Sequence, residues 1–282
     1  MVPVVPARRR ALTYAVGLGS VAVLSSGCKG QWSRVGMPAP VTKQGHDLLG
    51  LWYGSLLTAA IVGGFVILLI VWAAYRFRRR SPDDLPRQVR YNLPIEMLYT
   101  VIPIVIVSVL FYFTALREND EDSFSAHPGL RVDVVGFQWS WQFNYLDDGV
   151  SITGRPGDPP TLVVPVGTPI RFYEQSADVI HAFWVIPFLF KRDVIPGRIN
   201  SFEVTIDKPG IFKGKCTEYC GVDHDRMLFV VDAMPMAEYK AAIAEIKQVA
   251  AAGTDNRFSV YTGPSTPVEQ RGDTANSYYY GS

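Results

Sequence analysis

Hydrophobic and polar positions divide this 282-residue chain into stretches of different character. After Arg8, Arg9 and Arg10, the uncharged run Ala11 to Leu24 is too short to span a bilayer and has the form of an export signal over residues 1–27. No charged residue occurs between Asp47 and Arg76, and a second uncharged run extends from Met97 to Leu116, between Glu96 and Arg117. Each reaches the ~20 residues a spanning helix needs, which predicts membrane helices over 48–75 and 93–116. Pro103 falls inside the second, where membrane helices tolerate a kink. From about Leu130 the period shortens to that of β-structure. The runs Leu130–Val135, Thr161–Val166, Ile170–Tyr173, Ser201–Ile206 and Met227–Val231 are β-branched or aromatic and separated by Gly, Pro and Asp turns. Short strands at this spacing predict a sandwich or barrel over 125–236. Residues 237–252 have helical composition, with Tyr239, Ile243 and Ile246 available for one face. The polar remainder, 253–282, ends in Tyr278-Tyr279-Tyr280 and is expected to be disordered.

Charge adds an orientation. Residues 1–117 carry 13 basic and 4 acidic side chains, while residues 118–236 carry 10 and 17, so the overall net charge of +1 conceals two opposing regions. The loop 76–92 holds Arg76, Arg78, Arg79, Arg80, Arg87 and Arg90 against Asp83 and Asp84. The positive-inside bias makes it cytoplasmic and places both flanking segments outside. The charged fraction of 19% and the blockwise apolar residues argue against a uniformly soluble enzyme, and the missing basic excess against a nucleic-acid binder. Leu24-Ser25-Ser26-Gly27-Cys28 resembles a bacterial lipobox, although Ser25 departs from its usual aliphatic residue. The resemblance implies that Cys28 is lipidated and begins an external segment, 28–47.

The segment richest in chemistry is Lys215-Cys216-Thr217-Glu218-Tyr219-Cys220-Gly221-Val222-Asp223-His224-Asp225-Arg226-Met227, which concentrates two of three cysteines, one of four histidines and one of six methionines. Gly221 and the flanking strand-like runs favour a loop over a helix. Three uses compete for these side chains. A Cys216–Cys220 disulfide suits an exported protein. Zinc accepts thiolate and imidazole but is poorly served by thioether. Thiolate, imidazole and thioether together are the soft set that selects copper, and a second cysteine leaves room for two bridging thiolates and two coppers. A further imidazole is available from His181, in Asp178-Val179-Ile180-His181, between strand-like runs of the same region.

Together with that Asp-Val-Ile-His, the pattern Cys-x-Glu-x-Cys-x3-His-x2-Met resembles subunit II of the cytochrome c oxidases, the heme–copper terminal oxidases. The likeness runs from about Gly45 to Met236. It includes Gly136-Phe137-Gln138-Trp139-Ser140-Trp141 and Asp193-Val194-Ile195-Pro196-Gly197-Arg198, while Tyr99 stands where the family commonly has tryptophan. The resemblance implies a two-helix hairpin carrying an all-β cupredoxin-like Greek-key sandwich with a binuclear copper (CuA) centre. Cys216 and Cys220 would bridge two coppers, each capped by His181 or His224. Met227 and the main-chain carbonyl of Glu218 would complete the set. The Glu218 carboxylate would serve a magnesium shared with subunit I, as suits a hard ligand. Trp139 would receive electrons from cytochrome c, Asp147 and Asp178 would help dock it, and Glu96 would mark the mouth of a proton pathway.

The resemblance further implies transfer to heme a in subunit I, where oxygen reduction and proton translocation occur and where all the hemes reside. Implied partners are subunits I and III, and cytochrome c or a cytochrome c domain of a bc complex. The implied location is a bacterial plasma membrane with the copper domain outside. Three alternatives fit less well. Quinol-oxidase relatives lack the thiols, a nitrous oxide reductase carries a second and larger copper domain, and a copper chaperone or structural lipoprotein has no need of the paired spans together with Trp139. The absence of Cys-x-x-Cys-His leaves the donor heme to another chain.

Overall fold

The computed structural model describes residues 32–81 and 88–262. The signal, Cys28, part of the 76–92 loop and residues 263–282 lie outside them. The described residues up to Ala39 belong to a separate unit and contain a 3-10 turn, Trp32–Arg34.

Two long helices lead into the external domain. Helix α1, Lys43–Arg76, begins earlier than the apolar run alone suggests, because the Thr42 side chain accepts from the Gly45 N–H and caps it. Helix α2, Leu93–Glu121, contains Pro103 and outlasts its apolar run by several residues. Its last turns are charged but anchored: Arg117 pairs with Asp47 at 3.5 Å and with Asp120 at 3.1 Å. At 1.5 Å per residue the helices are roughly 51 and 44 Å long, more than the ~30 Å hydrocarbon core requires. Their apolar windows are unburied, as lipid- or partner-facing surfaces must be in an isolated chain.

The strands are β1 Leu130–Phe137, β2 Ser140–Tyr145, β3 Val150–Thr153, β4 Thr161–Pro165, β5 Pro169–Ser176, β6 His181–Val185, β7 Phe190–Val194, β8 Asn200–Thr205, β9 Gly210–Cys216, β10 Leu228–Met234 and β11 Phe258–Val260. They form a six-stranded sheet, β11-β3-β2-β1-β5-β8, and a five-stranded sheet, β4-β10-β9-β6-β7. The β1–β5 and β4–β10 pairs are parallel and the others antiparallel. Alternation sends Trp141 and Phe143 of β2, Phe172 of β5, Phe183 of β6 and Phe229 of β10 into one core. Phe183 and Phe229 stack at 4.5 Å between centroids. Gly214 makes room for that stack, since a Cβ there would lie 2.1 Å from the Phe229 ring.

Helix α3, Met236–Ala252, buries Tyr239, Ile243 and Ile246, the positions four and three apart that share a helical face. The polar tail expected from 253 onward instead continues as ordered structure through residue 262. The Arg257 N–H donates to Asp255, turning the chain so that β11 pairs antiparallel with β3 and Phe258 packs on the core.

The start of α1 is fixed to the sandwich. Thr42 bridges Ile206, the Val41 N–H donates to the Pro187 carbonyl, and His46 Nε2 lies 2.8 Å from Asp207 Oδ2. Gly45 is the glycine this approach requires, because a Cβ would come within 2.8 Å of the Phe188 carbonyl oxygen.

Candidate metal centre

Three neighbouring strands of the five-stranded sheet bring the soft ligands to one end of the sandwich. His181 opens β6, Cys216 closes β9, and Met227 immediately precedes β10. The register Phe183↔Cys216 and Lys215↔Leu228 aligns these ends. Glu218, Cys220 and His224 lie on the connecting loop, which is irregular until the 3-10 turn His224–Arg226. Gly221 allows the reversal with φ +125°, a backbone disfavoured for L side chains, and lies directly against Trp139.

All six expected donors converge. The Cys216 and Cys220 sulfurs are 3.9 Å apart, far beyond the ~2.05 Å of a disulfide, and both cysteines are free and buried. His181 Nδ1 lies 3.9 Å from the Cys216 sulfur, and His224 Nδ1 lies 3.4 Å from that of Cys220. Met227 Sδ is 3.8 Å from the Cys220 sulfur, and the main-chain oxygen of Glu218 is 3.2 Å from that of Cys216. Among the described residues, the ligand atoms of His181, Cys216 and Cys220 fall within 4.8 Å of one another and could hold a metal ion.

Electrostatics makes that cluster receptive to a cation. Burial pushes the Cys216 thiol up, but His181 and nearby main-chain hydrogen bonds outweigh it and hold the thiol below its ordinary range. Burial followed by the charge of Cys216 pushes Cys220 up to about 12. One thiolate thus opposes the other across 3.9 Å, and a bound cation removes that opposition. Thiolate, imidazole and thioether donors in a buried site fit copper.

Asp178, expected only on a docking surface, is engaged at the centre itself. Its Oδ1 lies 2.8 Å from His181 Nε2, leaving Nδ1 turned towards the sulfurs. The Gln138 and Val179 N–H groups donate to the same carboxylate at 2.7 and 2.6 Å. Burial raises the Asp178 pKa, but these hydrogen bonds overcome it and hold the carboxyl below its ordinary value. A carboxylate on the far nitrogen of a ligating imidazole fixes its orientation and raises its basicity.

The β1–β2 turn supplies a second contact. Gln138 Nε2 and Trp139 Nε1 both donate to the Cys220 carbonyl, at 2.8 and 3.1 Å. Trp139 is half-buried, whereas Trp141 is fully buried with its ring 6.1 Å from that of His181. The sequence alone does not reveal these contacts of Asp178 and Gln138. The three-residue spacing of Asp178 from His181 was the available signal for the first, and no local pattern marked the second.

The remaining expected residues are dispersed. The Glu218 carboxylate lies 3.7 Å from Lys191 Nζ, while its main-chain oxygen addresses Cys216. Asp147 accepts from the Arg131 N–H at 2.9 Å and from its Nε at 3.0 Å, so much of its charge is matched. Glu96 accepts from the Asn92 N–H at 2.9 Å while Asn92 Oδ1 accepts from the Ile95 N–H, a reciprocal cap at the start of α2.

Comparison with known proteins agrees with this architecture. The family model described as the cytochrome c oxidase subunit II transmembrane domain matches residues 30–115, and that of the subunit II periplasmic domain matches residues 158–234. A probable cytochrome c oxidase subunit 2 from Streptomyces coelicolor is 44% identical, the match covering 84% of this chain and 87% of the relative. The cytochrome c oxidase subunit 2 of Mycobacterium tuberculosis (strain H37Rv) is 35% identical, with coverage of 85% and 83%. The crystal structure of the periplasmic domain of subunit II from Bradyrhizobium japonicum shares 32% identity over 44% of this chain and 98% of that one, with a TM-score of 0.41. With two helices suited to crossing a membrane, an external β-sandwich and the Streptomyces and Mycobacterium relatives, the chain belongs to the subunit II family of the cytochrome c oxidases.

Proposed function

We propose that this subunit receives electrons from reduced cytochrome c and passes them to heme a of subunit I through a binuclear copper centre. His181, Cys216, Cys220, His224, Met227 and the main-chain oxygen of Glu218 would hold it. The observation that carries this reading is the pair of buried, unbonded cysteine sulfurs 3.9 Å apart, flanked by imidazole nitrogens, a thioether and a carbonyl oxygen. When bound, the two coppers would supply a one-electron relay. The chain's part is to hold the donors still. Two of the donors sit at strand ends and a third adjoins one, the Cys220 carbonyl is tied to the β1–β2 turn, and Asp178 fixes the His181 ring, so the site needs little rearrangement when its charge changes.

Trp139 would be the receiving group for the donor. Its indole hydrogen-bonds the main chain of a ligand residue, giving a short bonded route inward. Tyr219 and Val222, 81% and 85% exposed, give the neighbouring loop an apolar surface. The acidic excess of residues 118–236 suits a basic partner, whose approach it would accelerate, and Asp147 and Asp178 would contribute to that field. The Glu218 carboxylate, turned away from the sulfurs, would serve a magnesium completed by subunit I once Lys191 yields its place. Glu96 would lie at a proton-pathway mouth, its carboxylate held by the cap of α2. Oxygen reduction, proton translocation and the hemes would belong to subunit I, with subunit III and a bc complex as further neighbours. Cys28 would be lipidated.

Metal analysis of the purified oxidase tests the reading. It predicts two coppers per copy of this chain beyond any bound by subunit I. Stoichiometric zinc in their place, or a Cys216–Cys220 disulfide in the assembled enzyme, would overturn it.

A further inference from the structure

The end of the helical hairpin remote from the sandwich is strongly basic, and its depth can be reckoned along the helices. Contacts of Thr42 and His46 fix the start of α1 to the external domain, so Arg76 lies at the opposite membrane surface. From Asp47 to Arg76 the helix rises roughly 44 Å, which matches the ~40–45 Å of a bilayer with its headgroups. Arg117, paired with Asp47, marks the outer level on α2, and Leu93 lies roughly 36 Å below it. Arg90, just before that helix, therefore enters the same inner headgroup layer as Arg76. Arg76, Arg78, Arg79 and Arg90 are all exposed, and the loop 76–92 carries six arginines against two aspartates.

An apolar stripe leads to these guanidinium groups. Leu68, Val71, Trp72 and Tyr75 are exposed and follow the spacing of one helical face. At its end the Arg78 guanidinium carbon lies over the Tyr75 ring, 5.5 Å from its centre. That of Arg76 lies 5.6 Å from the centre of the Phe77 ring, which in turn meets Trp72 edge-on at 5.3 Å. Arg79 Nε donates to the Ser81 main-chain oxygen at 2.9 Å. The stripe is thus apolar within the bilayer, aromatic at its boundary and cationic at phosphate level, the order in which a phospholipid presents acyl chain, glycerol and phosphate.

We propose that Arg76, Arg78, Arg79 and Arg90 bind the headgroup of an anionic phospholipid of the inner leaflet, whose acyl chains lie along Leu68, Val71, Trp72 and Tyr75. Guanidinium forks suit phosphate oxygens, which they can engage in pairs. The partial negative charge at the end of α1, about half a unit, opposes an anion, but the positive start of α2 offsets it and leaves the arginines to decide the sign. A zwitterionic lipid offers the same phosphate but carries a second cation into this field, so the site favours a net negative headgroup.

Photolabelling of the purified oxidase tests the site. The enzyme is placed in phosphatidylcholine vesicles with a minor fraction of phosphatidylglycerol bearing a diazirine in its acyl chain, and labelled peptides are identified by mass spectrometry. Label should appear on the Leu68–Tyr75 stretch and be displaced by unlabelled phosphatidylglycerol but not by added phosphatidylcholine. Each basic side chain at an anionic surface contributes about fivefold, so the double variant Arg78→Gln, Arg79→Gln should need about thirtyfold more phosphatidylglycerol for half-saturation. If that variant fails to assemble, the displacement series on the unsubstituted enzyme decides. Absence of label on this stretch, as when another subunit covers it, equal displacement by phosphatidylcholine, or an unchanged half-saturation in the variant would overturn the inference. The readout is independent of the copper centre.

Discussion

Replacing Asp178 separates a carboxylate that orients a metal ligand from one that only attracts a partner. Its side chain meets three donors, His181 Nε2 at 2.8 Å, the Gln138 N–H at 2.7 Å and the Val179 N–H at 2.6 Å. Asp178→Asn preserves size but places an amide group among donors, and Asp178→Ala removes the acceptor altogether. Loss of such an outer partner typically weakens metal binding about 10–100-fold, which corresponds to about 1.4–2.8 kcal/mol. The asparagine variant should fall near the lower figure and the alanine variant near the upper. The two main-chain N–H groups can turn to water because the carboxylate is 31% exposed, so folding should suffer less than metal retention. The assay is competition for copper between the purified oxidase and a calibrated chelator, paired with donor oxidation rates at several ionic strengths. Unchanged copper retention accompanied by a flattened salt dependence would refute the orienting role and leave Asp178 on the docking surface alone.

Trp139→Leu removes the ring and its bond to the Cys220 carbonyl but leaves every donor atom in place; electron transfer from cytochrome c should slow while the copper spectrum is retained, as stopped-flow reduction would report. Burial, and then Asp148 accepting the Tyr239 O–H at 2.7 Å, hold Tyr239 well above its ordinary pKa of 10.0. Its contribution to stability is therefore complete below pH 10 and declines as the unfolded chain ionises above it; thermal melts from pH 8 to 11 should show a shallower alkaline decline in Tyr239→Phe, and an identical slope would count against it. Intact-mass analysis should find the mature chain beginning at an acylated Cys28, and residues 1–27 still attached would contradict that expectation.

What the sequence discloses depends on how locally each feature is encoded. Charge-free runs announce both spans, but their ends depend on particular contacts: Thr42 starts α1 early through its side chain, and Arg117 carries α2 past its apolar run. Strands β1, β4, β5, β8 and β10 stand out as β-branched or aromatic runs. Strand β7 is hidden by its Lys191-Arg192-Asp193 core, and β9 by two glycines and two lysines, because their partners and the Phe229 ring supply what their own residues lack. Strand β11 is a distant addition to β3 that no local pattern distinguishes from tail. The six proposed donors are legible because five fall in or beside short patterns, and the sixth is a carbonyl inside one of them. The orienting carboxylate and the Gln138 amide are less so, since hydrogen bonds across the sandwich end leave little trace in sequence.

Electron paramagnetic resonance of the oxidised enzyme, compared with Cys220→Ser, tests the central claim most directly. Two bridging thiolates let a pair of coppers share one unpaired electron, and two equivalent copper nuclei split the signal into seven lines. Removing the Cys220 sulfur leaves Cys216, two imidazoles and Met227, a set suited to one copper, so the variant should hold at most one copper with a four-line spectrum and lose electron transfer to heme a. A four-line spectrum in the unsubstituted, fully metallated subunit, or seven lines persisting in Cys220→Ser, would contradict the account.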